Sequence, residues 1–208
     1  MVAEPVRQVA SEPYPWPYDG LRPPSLGLLL VGWDRHWASV VEDPDEVVAR
    51  CVGLAAAVVA VGGQVVSVSH QRLRRGASPA SAVVPSLPVD RLPPTTIAVS
   101  SSGIDGFFAG ELDLTLRTNG IDQLIVAGLG LEGPVHSTLR SANDRGLECV
   151  LVTDACAAAD ADLVAGSLSS VCMSGGIFGA VVGLDAVLKV LAPAVSPSPV
   201  PSTQESRP

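Results

Sequence analysis

The sequence is poor in positive charge and in aromatic side chains. Lysine occurs once, at Lys189, and the formal net charge is -8. Because no basic stripe is available to neutralise phosphates, nucleic acid is not an expected partner. Aromatic residues make up only 4% of a chain that is 47% hydrophobic, so Ala, Val, Leu and Gly must build the core. Small core residues let helices lie close to a sheet, which favours an α/β protein.

The chain also lacks the short sequence motifs that are typical of structural metal sites, nucleotide-binding sites and disulfide frameworks. Neither GxGxxG nor GxxxxGK[ST] occurs, so no nucleotide cofactor is expected. No histidine stands at ligand spacing from a cysteine and no CxxC pair occurs, so no metal is expected. Reduced thiols in a cytoplasmic protein are predicted instead; the four cysteines are Cys51, Cys149, Cys156 and Cys172.

No segment of the sequence has the pattern of a membrane span or a secretion signal. The apolar run 52–61 is too short to cross a bilayer, and the run 175–191 contains Asp185 and Lys189. The N-terminus is charged and then rich in proline, unlike a signal peptide. The sequence therefore predicts no membrane partner.

Proline-rich segments flank a central region of strand and helix patterns. Residues 1–25 are predicted to form an extended arm, because X-Pro steps resist helix, and its aromatic residues are expected to fix it to the domain: Tyr14, Trp16 and Tyr18. Residues 26–192 are predicted to form one domain. Residues 193–208 are low in complexity and are predicted to be disordered.

Short apolar runs alternate with helical patterns through the central region. Six strands are predicted, in "SLGLLLVGWD", "QVVSVSH", "TTIAVS", "DQLIVAGLG", "LECVLVTDAC" and, as a short strand or turn, "GGIFGAV". Helices are predicted between them, one of them capped by Asp43 with Pro44 in its first turn, and residues 71–94 are predicted to form a loop. This order predicts a three-layer α/β/α fold with a mostly parallel six-stranded sheet of Rossmann-type topology.

In such folds, ligands bind beyond the carboxyl ends of the strands. Four segments fall there: Asp34, His70, the serine run 100–102 and the loop 128–134. The last contains "LEGPVHST", which joins a strand to a helix with a proline, Pro134, at the predicted first turn of that helix. The sequence predicts a small-molecule site at this edge of the sheet.

The chain resembles the isochorismatase-like superfamily, also called the cysteine hydrolases, and within it the biuret and ureidoacrylate amidohydrolase-like branch. The resemblance covers residues 12–192 and is most specific in "VHSTLRSANDRGLECVLVTDACAA", with "FFAGELDLTLRTNGIDQLIVAG" before it and "MSGGIFGAV" after it. It implies the three-layer fold described above and hydrolysis of small amides or related carboxylates.

The family's chemistry rests on an aspartate, a lysine and a cysteine, and the resemblance places these positions at three residues of this chain. Asp34 keeps the aspartate, whereas the lysine position falls on Ser101 and the cysteine position on Pro134. Proline offers neither a thiol nor a backbone N–H, so it removes both the nucleophile and an oxyanion donor. The resemblance also implies substrate contacts, which we predict at His70, Phe107, Gly130 and Leu131.

Two functions remain open on the sequence. One is a non-catalytic family member, a pseudoenzyme, that binds a small molecule or pairs with an active paralogue. The other is a hydrolase or lyase of a small amide, ureido or vinyl-ether carboxylate that uses Asp34 as general acid or base. Asp34 is equally well explained as the cap of a turn.

Other residues near the predicted site are candidates to replace the lost groups. Ser137 could act as a nucleophile, but it matches ordinary helix residues of the family. His36 forms a D-x-H pattern with Asp34 that is similar to metal-binding nicotinamidases, but the remaining ligands cannot be placed. Since family members are usually oligomers, a homodimer or homotetramer is expected.

Overall fold

The computed structural model describes residues 7–71 and 86–192, and within them strands alternate with helices along the chain. The strands are β1 Leu26–Val31, β2 Gln64–His70, β3 Ile97–Ser101, β4 Gln123–Leu129, β5 Glu148–Ala157 and β6 Ala180–Val182. The helices are α1 Arg35–Val40, α2 Pro44–Ala60, α3 Leu112–Thr118, α4 His136–Asp144, α5 Val164–Gly176 and α6 Leu184–Leu191. The predicted tail 193–208, the first six residues of the predicted arm and most of the predicted loop 71–94 lie outside the described residues.

The described strands form one sheet in the order β3-β2-β1-β4-β5-β6, and every neighbouring pair is parallel. The chain first builds outward from β1 through β2 to β3 and then returns to add β4 on the other side. This reversal places a topological switch point between β1 and β4, where open α/β sheets bind their ligands. The predicted six-stranded α/β fold is confirmed.

Alternating residues of the central strands pack into two separate hydrophobic cores, one on each face of the sheet. Leu28 and Leu30 of β1 belong to the core that contains α2 and α6, whereas Leu29 and Val31 belong to the core with α3, α4 and α5. All six residues of β1 are buried. A run of continuous apolar residues is what a parallel strand covered on both faces requires, and it produces the three-layer arrangement.

The N-terminal arm is fixed to the domain through Trp16. Its indole is fully buried, and its Nε1 donates a hydrogen bond to the carbonyl of Glu148 at the start of β5. The backbone of Glu12 pairs with Val181 of β6. Tyr14 and Tyr18 stack on each other with ring centroids 4.3 Å apart. The exact boundary between arm and domain at residue 25 stays a prediction.

One local expectation was wrong, and one helix was not predicted. Asp43 precedes α2 as predicted, but its backbone is left-handed (φ 45°) and its side chain makes no capping bond. The segment after Asp34 was not predicted as a helix, yet it forms α1. Helix α1 has only six residues, which are too few for a helical period of apolar residues to be distinguished from chance.

Candidate functional site

The carboxyl ends of β1, β2 and β3 bring three predicted site residues together. Asp34 follows β1, while His70 and Ser101 end β2 and β3 and are paired in the sheet register. All three are buried. The sequence-based prediction of their proximity depended only on strand order, because parallel neighbours end at the same edge.

The carboxylate of Asp34 is held by three backbone N–H groups. Its Oδ1 accepts hydrogen bonds from the backbone nitrogens of His36 (3.0 Å) and Trp37 (3.1 Å), which makes Asp34 the N-cap of α1. Its Oδ2 accepts a bond from the backbone nitrogen of His70 at 2.9 Å. Since the residue has no exposed surface, this arrangement ties β1, α1 and β2 together.

The imidazole of His70 is bound through one nitrogen only. Its Nδ1 lies 2.9 Å from the carbonyl oxygen of Gly103 and 3.0 Å from Oγ of Ser101. Because a carbonyl can only accept, we assign the ring hydrogen to Nδ1. The other nitrogen, Nε2, is buried and has no hydrogen-bond partner.

Ser101 stands where the resemblance implies a lysine, and it makes short-range neutral contacts. Besides the contact with His70, its Oγ donates to the carbonyl of Gly103 at 3.1 Å. The serine hydroxyl, Nδ1 of His70 and this carbonyl therefore satisfy one another. Nothing in this set of contacts supplies a positive charge to the site, as a lysine would.

Pro134 is buried in a five-residue π-helical turn, Leu131–Val135, that leads into α4. It was predicted at the first turn of the helix after β4, but α4 itself begins at His136, and Pro134 is the fourth residue of the turn before it. Within the turn, the backbone nitrogen of Val135 donates to the carbonyl of Gly130 at 3.2 Å. A proline, which has no N–H to place, is accommodated here without breaking α4.

The indole of Trp37 lies against this turn. A Cβ built on Gly130 would stand 2.5 Å from Cε3 of Trp37 and 2.8 Å from Cδ of Pro134. A Cβ built on Gly133 would stand 2.9 Å from Cη2 of the same indole. The buried Trp37 thus packs against two glycines that precede the position at which the resemblance implies the nucleophile, a contact that the sequence analysis missed.

Phe107, Gly130 and Leu131 were predicted as substrate contacts. Phe107 and Leu131 belong to the core on the α3–α4–α5 face, and the guanidinium of Arg145 lies 4.3 Å above the Phe107 ring. Gly130 has φ 78°, which opens the turn after β4. Whether these residues contact a ligand stays a prediction.

The two candidate replacements, His36 and Ser137, lie in ordinary structural settings. The ring of His36 packs edge-on against Trp37, with centroids 5.3 Å apart. Ser137 is half-buried on α4, and its neighbour Thr138 accepts a hydrogen bond from the backbone of Gly106. In residues 7–71 and 86–192, no group of three or more His, Cys, Asp and Glu side chains is placed to hold a metal ion.

Within the described residues, the buried cysteines offer no activated thiol. Burial raises the pKa of Cys51 and Cys149, and it raises the pKa of Cys156 to about 12. A thiol in an apolar setting is protonated at neutral pH and is a weak nucleophile.

None of the described helices has both the length and the hydropathy of a bilayer span.

Because two histidine side chains are partly or fully buried, we expect the free energy of unfolding to depend on pH. Burial lowers the pKa of His70 and of His136 below the usual histidine value. As the pH falls below about 6.5, the unfolded chain takes up these protons before the folded chain does. The free energy of unfolding, measured by urea titration, should therefore decrease between pH 7.5 and 5.5. The double variant His70→Gln/His136→Gln should show a smaller decrease; an unchanged slope would contradict the assignment.

The fold and the position of Asp34 at the switch point define a Rossmann-type α/β protein with its candidate site at the carboxyl edge of the sheet. The family model described as the isochorismatase domain matches residues 27–181. The chain therefore belongs to the isochorismatase family and has the family's hydrolase fold.

Individual relatives agree with this assignment. A segment of 56 residues is 39% identical to an uncharacterized isochorismatase family protein, YecD, of Escherichia coli O157:H7. The match spans 27% of this chain and only 30% of that relative, so it says little about the activity of the whole protein.

Solved structures extend the likeness over most of the chain. A cysteine hydrolase from Pseudomonas syringae pv. phaseolicola superposes with a TM-score of 0.71 at 20% identity, covering 91% of this chain and 98% of that one. A nicotinamidase from Staphylococcus aureus superposes with a TM-score of 0.61 at 16% identity, covering 76% and 98%. At these identities the likeness establishes the fold alone.

Proposed function

We propose that this protein is a non-catalytic member of the isochorismatase family, a pseudoenzyme that binds a small molecule or serves as a partner subunit. The observation that carries the proposal is the state of Asp34. Both of its carboxylate oxygens accept backbone hydrogen bonds, and the residue is fully buried. A general acid or base must reach the proton that it transfers, and this carboxylate is committed to the backbone.

The other two positions implied by the resemblance support the same proposal. Pro134 has no thiol and no N–H, and Trp37 lies against Gly130 and Gly133, which precede it. Ser101 supplies a neutral hydroxyl where the resemblance implies a cation, and this hydroxyl is hydrogen-bonded to His70 and Gly103. These positions provide neither a nucleophile nor a fixed positive charge, so they do not support the family's thiol chemistry.

The alternative is acid or base catalysis by Asp34 on a small amide, ureido or vinyl-ether carboxylate. It requires a movement that exposes an oxygen now bonded to His70 or to α1. Each such bond is a charge-assisted hydrogen bond, of the kind that contributes about 1.5–3 kcal/mol. Because catalysis would require breaking such a bond, the contacts of Asp34 favour the non-catalytic hypothesis.

The proposal is tested by a turnover screen of the purified protein against amide, ureido and vinyl-ether substrates. No product above the enzyme-free rate is expected. An Asp34→Asn variant prepared in parallel, and checked for folding by circular dichroism, distinguishes a contaminant from the protein itself. Turnover that is present in the native chain and absent in folded Asp34→Asn would overturn the proposal in favour of the alternative.

A double variant gives the complementary measurement. In Ser101→Lys/Pro134→Cys, the two missing groups return to their family positions. No amide hydrolysis is expected while both oxygens of Asp34 stay bonded to the backbone, and hydrolysis by this variant would show that Asp34 can still act as acid or base.

Assembly with an active paralogue or with further copies of this chain is also part of the proposal. Light scattering of the purified protein should then give the mass of a dimer or tetramer, not of a monomer.

A further inference from the structure

A cleft of about 310 Å³ lies away from Asp34, between the turn before α4 and helix α5. It is lined by Glu132, His136, Leu163, Gly166, Ser167 and Ser170. Glu132 lies within the predicted site loop 128–134, but none of these residues was individually predicted to contact a ligand, and the contacts of the Asp34 centre do not use them. The volume is at the lower end of the range for small-molecule sites, about 300–1,000 Å³.

Buried polar atoms without partners gather around this cleft. Oε1 of Glu132 accepts bonds from the backbone nitrogens of Ala159 (2.9 Å) and Asp160 (3.1 Å), but Oε2 is buried and unpartnered. Nε2 of His136, one helical turn further along, is likewise buried and unpartnered. A buried polar atom without a hydrogen bond costs free energy, so two of them beside one cleft point to a missing partner.

Ser170, on α5, is a further lining residue that can donate a hydrogen bond. Arg140 donates from Nη2 to Oγ of the lining residue Ser170 at 2.8 Å, and its guanidinium lies 4.1 Å above the ring of Phe178. Its Nε is also buried without a partner. Because Ser170 accepts from Arg140, its own hydroxyl hydrogen is free to be donated.

From this set of groups we infer that the cleft binds a compact neutral molecule that presents an N–H donor next to an oxygen acceptor, as a carboxamide or a urea does. The N–H donates to Oε2 of Glu132, and the oxygen accepts from the donors of His136 and Ser170. A carboxylate ligand would meet the charge of Glu132, and a ketone would leave that oxygen unpartnered. The exposed side chain of Leu163 receives the apolar part of the ligand.

The test is a titration of the ¹⁵N-labelled protein with propionamide, followed by chemical shifts. Saturable shifts are expected at residues of the cleft. Propionate, which carries a charge in place of the amide, and 2-butanone, which lacks the donor, should each bind at least about tenfold more weakly. Failure of propionamide to saturate, or equal binding of propionate, would overturn the inference.

Two variants locate the binding. In Glu132→Gln, the amide oxygen can keep the bonds to Ala159 and Asp160, but the atom facing the cleft becomes a donor; affinity for propionamide should fall about tenfold. Gly166 lines the cleft, and no atom lies within 4 Å of a Cβ built there; in Gly166→Leu the new side chain should therefore fill the cleft, and binding should be lost. Gly53→Leu adds the same side chain at an equally open position on α2 and should leave binding unchanged.

Unaltered propionamide affinity in a natively folded Gly166→Leu would place the ligand elsewhere and contradict the inference. If that variant does not fold, Glu132→Gln and the three probes on the native chain still decide. Binding is measured without turnover and at a different place from Asp34. Failure of this inference therefore leaves the proposed function standing, and hydrolysis at Asp34 would leave this site standing.

Discussion

Replacing Gly128 by alanine is expected to prevent the protein from reaching its native fold. Gly128 lies near the end of β4, directly opposite Val31 of β1, with φ 140°. A Cβ built on it would lie 1.9 Å from the carbonyl oxygen of Val31 and 2.8 Å from the nitrogen of the same residue. Both are backbone atoms of the central strand pair, so relief requires the two strands to move apart.

The expected loss in the free energy of unfolding is at least about 4 kcal/mol, a large part of the total for an ordinary domain. Urea unfolding followed by circular dichroism measures it, or shows directly that no cooperative transition remains. Gly53→Ala is the matched control, because its Cβ meets no atom within 4 Å. Alanine in the middle of a helix should be stabilising by about 0.5–1 kcal/mol there. Similar stabilities for Gly128→Ala and Gly53→Ala would contradict the close approach of β1 and β4.

Replacing Asp34 by alanine is expected to lower the free energy of unfolding by at least about 3 kcal/mol. The carboxylate accepts from three backbone N–H groups, on His36, Trp37 and His70. Truncation leaves these donors in the interior without partners, at a cost of about 1–3 kcal/mol each. The measurement is urea unfolding at pH 7, with the dependence on urea checked for a two-state transition.

Asp160→Ala provides the comparison, because Asp160 is also an N-cap, of the short 3₁₀ helix Ala161–Leu163, but is exposed. Its Oδ1 accepts a single bond from the backbone nitrogen of Asp162 at 3.0 Å. Loss of such a cap typically costs about 1 kcal/mol. If Asp34→Ala costs no more than Asp160→Ala, Asp34 does not hold β1, α1 and β2 together, and a catalytic role for its carboxylate becomes the better explanation.

The strands were predictable because each of them is a short apolar run bounded by turn residues. The segments "SLGLLLVGWD" and "DQLIVAGLG" each contain the strand that the structure shows, although β1 ends at Val31, three residues before the end of the predicted segment. Helix α2 was predictable from Pro44 and the following apolar period. Its cap was not, because Asp43 adopts a left-handed backbone that local propensity does not foresee.

The candidate site was predictable only as far as strand order reaches. The placement of Asp34, His70 and Ser101 at one edge follows from parallel pairing. That Trp37 would lie against Gly130 and Gly133 does not, since it joins α1 to the turn after β4 across nearly a hundred residues of sequence. The cleft beside Glu132 and His136 was likewise missed, because its walls come from two helices whose packing the sequence does not encode locally.

The sequence by itself determined the alternation of strands and helices, the absence of a thiol at Pro134 and the absence of a cation at Ser101, because these are properties of residue type and local pattern. Only the tertiary structure decided what Asp34 does with its two oxygens and where unpartnered polar atoms gather. Those depend on which backbone groups meet in the interior, and that is set by the packing of segments distant in the chain.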